Sequence, residues 1–334
     1  MRYFSELNWE NHIESIDELD MPWDIKKYNF HCIDDNKCVI LGGQHNNDYV
    51  PTDAIYIKSG KDDYSAEFYR TLECRSNCFS AVLGDKIYIF GGKDKNGELT
   101  KTCESFDLST KKSEYLPEMS QCICNASCVT FKRENSDWYV IVAGGYNGED
   151  TVTNEVNGFN VTKNRWETMF TTSVGFAEAA VGVIRNKLII TGGIVYNERK
   201  GRLSSAYGGV IHDLETGDTA NGASLPYRLK DFSYANVGGR IVVSAMTLKN
   251  SRHYMFLYNV NEDKWIVIER LHNMGGAKKI SSFGNTLVTT THYEIIKSSK
   301  VILKNDVRSL LRFALVNNTL QETGHTTRKR KHIT

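Results

Sequence analysis

A hydrophobic segment that ends in two glycines recurs along the chain. The four clear copies are CVILGG (38–43), IYIFGG (87–92), YVIVAGG (139–145) and LIITGG (188–193). Each copy runs through apolar, mostly β-branched or aromatic residues up to the glycine pair. Such an unbroken apolar run predicts a strand that is buried on both of its faces.

Two weaker copies continue the series. In GGRIVVSAM (238–246) Ala245 takes the place of the first glycine, and in GNTLVTTTH (284–292) Thr291 does so. The equivalent positions then lie about 50 residues apart, a period typical of propellers and solenoids. We therefore divide the chain into six repeats within one domain, 1–325. Their approximate bounds are 26–73, 74–120, 121–170, 171–226, 227–272 and 273–325.

Each repeat contains enough alternating strand and turn signals for four strands. In the second repeat these are CFSAVL, KIYIFGG, TCESFDL and KSEYLPE. No helical period of useful length interrupts them. A unit of about 50 residues with four strands predicts an all-β fold, a six-bladed β-propeller with four antiparallel strands per blade.

The repeat resembles that of the kelch family along nearly all of the chain. That family adds to the glycine pair an aromatic residue and, seven residues later, a tryptophan. Phe159 with Trp166 and Tyr258 with Trp265 fit this pattern. In the second repeat Phe106 fits, but Ser113 stands where the tryptophan is expected. The resemblance implies a kelch-repeat propeller without a BTB domain or an F-box.

The glycine pairs are predicted to have a structural role. At the end of the second strand a Cβ would crowd the neighbouring blade, and an unusual φ angle can begin a turn there. Ala245 and Thr291 predict looser turns in blades five and six. The structural glycines are Gly42, Gly43, Gly91, Gly92, Gly144, Gly145, Gly192 and Gly193.

Closure of the ring needs a strand that joins the last blade to the first, since an open edge can pair with other chains. Trp9 precedes the first repeat as Trp166 precedes the fourth, so we assign residues 7–13 to the outer strand of the final blade. The alternative is that TLQETG (319–324) completes that blade and the N-terminal segment is a loose strap.

Charge and hydropathy exclude several classes of protein. The chain has 41 basic and 40 acidic residues, so no overall field favours nucleic acid or membrane as a partner. Neither a signal sequence nor an apolar run of about 20 residues is present. We expect a cytoplasmic protein. The tail TTRKRKHIT (326–334) is interpreted as a disordered end, with a nuclear import signal as the alternative.

All eight cysteines lie within the first 128 residues. Without a secretory signal, reduced thiols are expected. Strand alternation predicts that Cys122, Cys124 and Cys128 face one side, with Cys74 and Cys78 on an adjacent blade. We interpret this cluster as buried packing residues. A metal or redox site is the alternative, although the spacing matches no standard zinc motif.

No enzyme signature is present. The sequence lacks G-x-S-x-G, H-E-x-x-H, the P-loop and the dinucleotide-binding pattern. It also lacks the copper and iron constellations of the enzymatic kelch propellers. We therefore predict a non-catalytic chain with no cofactor and no metal, and keep a small-molecule-binding or enzymatic propeller as an alternative.

Function is expected at the rim formed by the loops between strands two and three and the connections into each first strand. Tyrosine and arginine, which combine an apolar body with hydrogen-bond donors, occur in these loops and favour protein interfaces. The family resemblance implies that Arg75 faces the pocket mouth. Nearby lysines would make that mouth modestly basic and suited to an acidic ligand. The candidate binding residues are Tyr49, Arg75, Tyr146, Tyr196, Arg199, Arg202, Lys230, Arg252 and Lys278.

The expected partner is therefore another protein or a peptide. The family resemblance implies two roles between which the sequence does not choose. One is a substrate-recognition subunit associated with a cullin ubiquitin ligase. The other is a scaffold that binds actin. About 30 residues precede the first repeat, too few for a BTB domain or an F-box.

Overall fold

The computed structural model describes residues 13–15, 25–34, 37–45, 51–59, 65–134, 136–237, 239–271, 279–283, 286–290 and 295–298. Almost every element in this part of the chain is a β-strand, with one short 3-10 helix at Glu198–Lys200. The strands of the first half are β1 (Ile13–Ser15), β2 (Ile25–Lys26), β3 (Asn29–Cys32), β4 (Lys37–Leu41), β5 (Gln44–His45), β6 (Thr52–Ser59), β7 (Ser65–Arg75), β8 (Phe79–Leu83), β9 (Lys86–Phe90), β10 (Cys103–Asp107), β11 (Lys112–Leu116), β12 (Ser127–Lys132), β13 (Trp138–Ala143), β14 (Glu155–Asn160) and β15 (Arg165–Thr171).

The strands of the second half follow the same spacing. They are β16 (Phe176–Ala177), β17 (Ala180–Ile184), β18 (Lys187–Thr191), β19 (Ile194–Asn197), β20 (Arg202–Ser205), β21 (Gly209–Asp213), β22 (Thr219–Gly222), β23 (Leu229–Val237), β24 (Arg240–Thr247), β25 (His253–Asn259), β26 (Lys264–Leu271), β27 (Lys279–Phe283), β28 (Thr286–Thr290) and β29 (Ile295–Ser298).

Six four-stranded antiparallel sheets are present among the described residues. In chain order their strands are β3-β4-β6-β7, β8-β9-β10-β11, β12-β13-β14-β15, β17-β18-β21-β22, β23-β24-β25-β26 and β27-β28-β29-β1. The first strand of each sheet contacts the first strand of the next, and β27 contacts β3. The predicted all-β fold of kelch-type propeller blades is thereby confirmed, and we number the sheets blades 1 to 6.

The last sheet takes its fourth strand from the N-terminal part of the chain. In the antiparallel pair of β1 and β29, Ile13 lies opposite Ser298 and Ser15 opposite Ile296. The backbone N–H of Cys32 in blade 1 also donates to Ser281 Oγ in blade 6, at 2.9 Å. The predicted strand 7–13 shares only residue 13 with β1. Residues 7–12 and the alternative segment 319–324 lie outside the described residues, as does the tail 326–334.

The core lies between neighbouring blades and explains the aromatic and tryptophan positions. Phe159 packs on Trp166 with ring centroids 5.3 Å apart. Trp166 Nε1 donates to the carbonyl of Pro117 in the preceding blade at 2.8 Å. In blade 5, Trp265 Nε1 donates to the carbonyl of Ala223 in blade 4 at 3.2 Å. Each tryptophan thus links its blade to the one before it through apolar packing and a hydrogen bond.

The glycine pairs link each blade to the one after it. All eight glycines have positive φ. A Cβ on Gly144 would lie 2.2 Å from the carbonyl oxygen of Phe176 in blade 4, and the next glycine, Gly145, donates its N–H to that same oxygen at 2.8 Å. Close backbone approach and left-handed conformation together therefore require glycine at the first position of the pair.

In blade 5 an alanine stands at the place of the first glycine, and the backbone takes a different course there. Ala245 stays inside β24 opposite Tyr254 and is absent from the positive-φ residues. The turn moves to Thr247–Arg252, where Thr247 N–H donates to the carbonyl of Arg252 at 2.8 Å. The backbone therefore differs from that of the glycine blades, but it is an extended strand rather than a looser turn. Thr291 lies outside the described residues.

Candidate functional site

One face of the propeller carries the connections into the first strands together with the loops between strands two and three. These two kinds of segment pair within a blade, as β2 with β5 and β16 with β19. The same contact occurs as a single bridge between Ser76 and Lys93 and between Cys124 and Tyr146. We call this surface the loop face. Its construction from paired backbone segments gives it a defined shape in the described blades.

Blade 4 extends the loop face with a hairpin where the sequence predicted a loop. Strands β19 and β20 pair from Ile194–Ser205 to Asn197–Arg202. Asn197 Oδ1 accepts from the N–H of Lys200 at 3.1 Å, and the turn closes at Gly201 with φ of 59°. Residues 194–205 are called the tip hairpin below. It presents Tyr196, Arg199, Lys200 and Arg202 to solvent, with Glu198 beside them.

A cluster of exposed aromatic and apolar side chains lies next to this hairpin, between blades 4 and 5. Tyr207, Tyr227 and Leu248 are 47%, 42% and 47% exposed. The guanidinium of Arg228 lies 5.6 Å from the ring centroid of Tyr207, and the rings of Tyr227 and Tyr254 are 5.2 Å apart. We call these five residues the aromatic patch.

Backbone hydrogen bonds hold the aromatic patch in place. The N–H of Leu225 donates to the carbonyl of Tyr207 at 2.7 Å, and the N–H of Leu248 donates to that of Arg228 at 3.1 Å. The patch therefore spans two blades on a fixed support. A rigid surface of this kind loses little conformational entropy when it binds a partner.

The predicted rim residues other than Arg75 divide into three groups. Tyr196, Arg199, Arg202 and Arg252 are exposed on the loop face, whereas Tyr146 and Lys230 are only partly exposed. Burial raises the pKa of the Tyr146 phenol. Tyr49 and Lys278 lie outside the described residues. The sequence analysis did not select Tyr207, Tyr227 or Leu248 as binding residues. The only signal for them was their place in the connections of blades 4 and 5.

The prediction that Arg75 faces the pocket mouth has to be corrected. Its side chain is 1% exposed. Its Nε donates to Glu104 Oε1 at 3.1 Å, and its Nη1 donates to the carbonyl of Thr102 at 2.9 Å. Arg75 closes β7 of blade 1, and both partners belong to blade 2, so the guanidinium joins two blades. Phe176 and Leu229, at the equivalent places in blades 4 and 5, are also buried.

The centre of the loop face opens into a channel of about 710 Å³ lined by the first strands of all six blades. Five polar residues surround its opening at the entry into the first strands of blades 1 to 5. Four lie two residues before the strand, and the fifth, Asp231, lies at the irregularity near the start of β23. We call them the mouth ring. They are Lys27, Asn77, Asn125, Glu178 and Asp231.

The charge of the mouth differs from the sequence prediction. Lys27 and Lys279 also line the channel opening, but the carboxylates of Glu178 and Asp231 oppose them. The predicted basic mouth is therefore wrong for the described residues, in which the two charges of each sign cancel.

The channel wall beyond the mouth contains a polar contact between two blades. His31 Nε2 and Ser80 Oγ are 2.7 Å apart across blades 1 and 2. Burial lowers the pKa of His31 to about 4, so the ring is neutral near pH 7 and exchanges a hydrogen bond with the hydroxyl rather than an ion pair.

The eight cysteines are free thiols. Cys78, Cys124 and Cys128 are buried, Cys74 is partly exposed and Cys122 is exposed, so Cys122, Cys124 and Cys128 do not share one environment as predicted. Burial raises the pKa of Cys78 to about 11. Within the described ranges, no three histidine, cysteine or acidic side chains come together as a metal site would require. No helix of that part of the chain could cross a membrane.

The four-stranded blades, the glycine pairs and the tryptophan links define a repeat propeller. Residues 74–120, which make up blade 2 with its flanking connections, match the Kelch motif. The chain therefore contains at least one kelch repeat, and the other described blades share its four-stranded construction.

The chain is similar over limited lengths to several known proteins. It is 31% identical over 102 residues to Kelch-like protein 24 of Rattus norvegicus, covering 30% of this chain and 17% of that protein. It is 35% identical over 86 residues to a putative F-box/kelch-repeat protein of Arabidopsis thaliana, covering 26% of this chain and 21% of that protein. The matches span about a fifth of the length of each of these relatives.

Proposed function

We propose that this chain is a non-catalytic module that holds a peptide or protein segment on its loop face, over blades 4 and 5. The observation that carries the proposal is the aromatic patch. Tyr207, Tyr227 and Leu248 are large, exposed and adjacent in the fold, and Arg228 stacks over one of the rings. Tyrosine and arginine supply most of the binding energy in many protein interfaces.

The charge around the aromatic patch indicates the chemistry of the partner. Arg228 belongs to it, the exposed cations Lys249 and Arg252 border it, and the tip hairpin adds three more, against one glutamate. A segment that combines acidic residues with at least one large apolar side chain would complement this surface. The apolar contact would give affinity, and the opposite charges would give orientation and a faster association rate.

Within this proposal the module recruits a substrate to a cullin ubiquitin ligase, with actin scaffolding as the alternative. The ligase role is supported by the F-box/kelch-repeat name of the Arabidopsis relative. Cullin components that co-purify with the intact chain would favour the ligase. Co-sedimentation of the chain with actin filaments would favour the scaffold.

The binding surface is tested by the double variant Tyr227→Ala, Arg228→Glu. We expect it to weaken the affinity for a captured and purified partner by at least about 30-fold, because loss of a hot-spot residue typically costs about 2 kcal/mol or more. The measurement is titration calorimetry with wild type and variant.

Tyr115→Ala is the matched control. Tyr115 is 61% exposed but lies on β11, the outermost strand of blade 2, and therefore outside blades 4 and 5. Its substitution is expected to leave the affinity unchanged. Equal binding by the double variant and wild type, or an equal loss in Tyr115→Ala, would exclude the aromatic patch as the docking surface.

A further inference from the structure

The mouth ring has an unusual backbone conformation. Lys27, Asn77, Asn125, Glu178 and Asp231 have φ of 57°, 54°, 50°, 54° and 54°. Asparagine and aspartate adopt this left-handed region more readily than most residues, whereas lysine and glutamate do so at a cost. A glycine would avoid that cost at each place. The chain instead carries five polar side chains around the channel opening.

Hydrogen bonds fix part of the ring from blade to blade. The N–H of Asn125 donates to the carbonyl of Asn77 at 2.9 Å, and the N–H of Glu178 donates to that of Asn125 at 3.0 Å. The amide of Asn125 also donates through Nδ2 to Glu178 Oε1 at 3.0 Å. The ring backbone of blades 2 to 4 and the side chains of Asn125 and Glu178 are therefore held in place before any ligand arrives, which lowers the entropic cost of binding.

One side of the mouth presents oxygen acceptors. Asn77 is only 7% exposed, it lines the channel, and its Oδ1 has no hydrogen-bond partner among the described residues. A buried acceptor without a partner is costly. Farther round the ring, Glu178 and Asp231 are exposed to the opening. Blades 2 to 5 thus form an arc that suits a cationic donor.

The opposite side of the mouth presents ammonium groups. Lys27 of blade 1 is exposed, and Lys279 of blade 6 is partly exposed. The protein atoms around the mouth raise the pKa of Glu178 and lower the pKa of Lys279, while both side chains still contact solvent. Opposite charges attract more strongly beside a protein surface than in bulk water. The mouth is therefore dipolar.

We propose that the mouth ring binds a dipolar segment of the partner, with a basic side chain against Glu178 and Asp231 and a neighbouring carboxylate against Lys27. The inference rests on the proposed function, because it takes the loop face as the docking face. It adds that the docked segment carries a basic residue beside an acidic one, and it places that pair at the channel rather than on the aromatic patch.

The test uses three small probes and NMR titration of the intact chain at low salt. The probes are acetyl-Arg-Asp-amide, acetyl-citrulline-Asp-amide, which lacks the cation, and acetyl-Arg-Asn-amide, which lacks the anion. We expect the first probe to bind about tenfold more tightly than either of the others, since a charge-assisted hydrogen bond contributes about 1.5 kcal/mol or more.

Two variants assign each charge to its place. Glu178→Gln keeps an acceptor for the Asn125 amide, and it is expected to weaken acetyl-Arg-Asp-amide about tenfold while leaving the citrulline probe unchanged. Lys27→Met is expected to abolish the preference for aspartate over asparagine. Glu198→Gln, which removes an exposed carboxylate on the tip hairpin, is the control and should behave as wild type. Thermal unfolding of each variant verifies that it is folded.

The outcomes separate this inference from the proposed function. Equal affinities of wild type for the three probes, or no detectable binding of any of them, would overturn the dipolar site. The Tyr227→Ala, Arg228→Glu variant is expected to bind acetyl-Arg-Asp-amide as wild type does. If it does so while partner binding is also unaffected by that variant, the aromatic patch fails and the mouth site stands.

Discussion

Replacing Arg75 with alanine is expected to lower the free energy of unfolding by about 3 to 5 kcal/mol, the usual cost of removing one partner of a buried ion pair. The substitution would leave Glu104, which is 0% exposed, without its 3.1 Å guanidinium partner. It would also leave the carbonyl of Thr102 without the donor that lies 2.9 Å away. The measurement is urea unfolding followed by tryptophan fluorescence.

Two further variants show whether the ion pair is responsible. Arg199→Ala removes an exposed arginine from the tip hairpin, and we expect a change of no more than about 0.5 kcal/mol. The double variant Arg75→Ala, Glu104→Ala is expected to lose less stability than the sum of the single variants, because the two side chains interact directly. A loss below about 1 kcal/mol in Arg75→Ala would contradict the role assigned to the pair.

The second large effect is expected for Gly144→Ala, at about 3 to 5 kcal/mol. The new Cβ would lie 2.2 Å from the carbonyl oxygen of Phe176 and 2.7 Å from its ring, and the residue would keep a φ of 65°. Left-handed strain costs about 1 to 3 kcal/mol, and overpacking costs about as much again. Because the obstacle is backbone of blade 4, no side-chain rotation relieves it.

Gly201→Ala separates the two contributions. Gly201 has a similar φ of 59°, but a Cβ there meets nothing within 4 Å. Only conformational strain remains, so we expect a loss of about 1 to 2 kcal/mol. Equal losses in the two variants would show that backbone conformation alone, and not contact between blades, explains the glycine at residue 144.

The repeat was predictable because its signals are physical requirements that recur. A strand buried on both faces needs an unbroken apolar run, and the contact between blades needs glycine, so IYIFGG and LIITGG are recognisable without other information. The tryptophan positions were predictable for the same reason, since Trp166 and Trp265 donate to equivalent carbonyls of the preceding blade. The recurring sequence pattern and the observed packing both follow from the need of each blade to pack against its neighbour.

The site was less predictable because its chemistry depends on neighbours that are distant in sequence. Arginine is a residue type common at binding sites, and nothing near Arg75 in the chain reveals that Glu104 approaches from blade 2. The mouth ring was missed because lysine, asparagine, glutamate and aspartate share no sequence pattern. Only their common place, at the entry into the first strands of blades 1 to 5, relates them, and that place becomes visible once the strand registers are known.

The pairing of β1 with β29 has a consequence for how the molecule is made. Residues 13–15 are translated before blades 1 to 5, and their partners 296–298 are translated after those blades. Blades 1 to 5 can assemble in order as they emerge, whereas the amino-terminal segment must wait, and a contact of such long sequence separation forms slowly. The sixth blade is therefore expected to be the last of the six to acquire native structure.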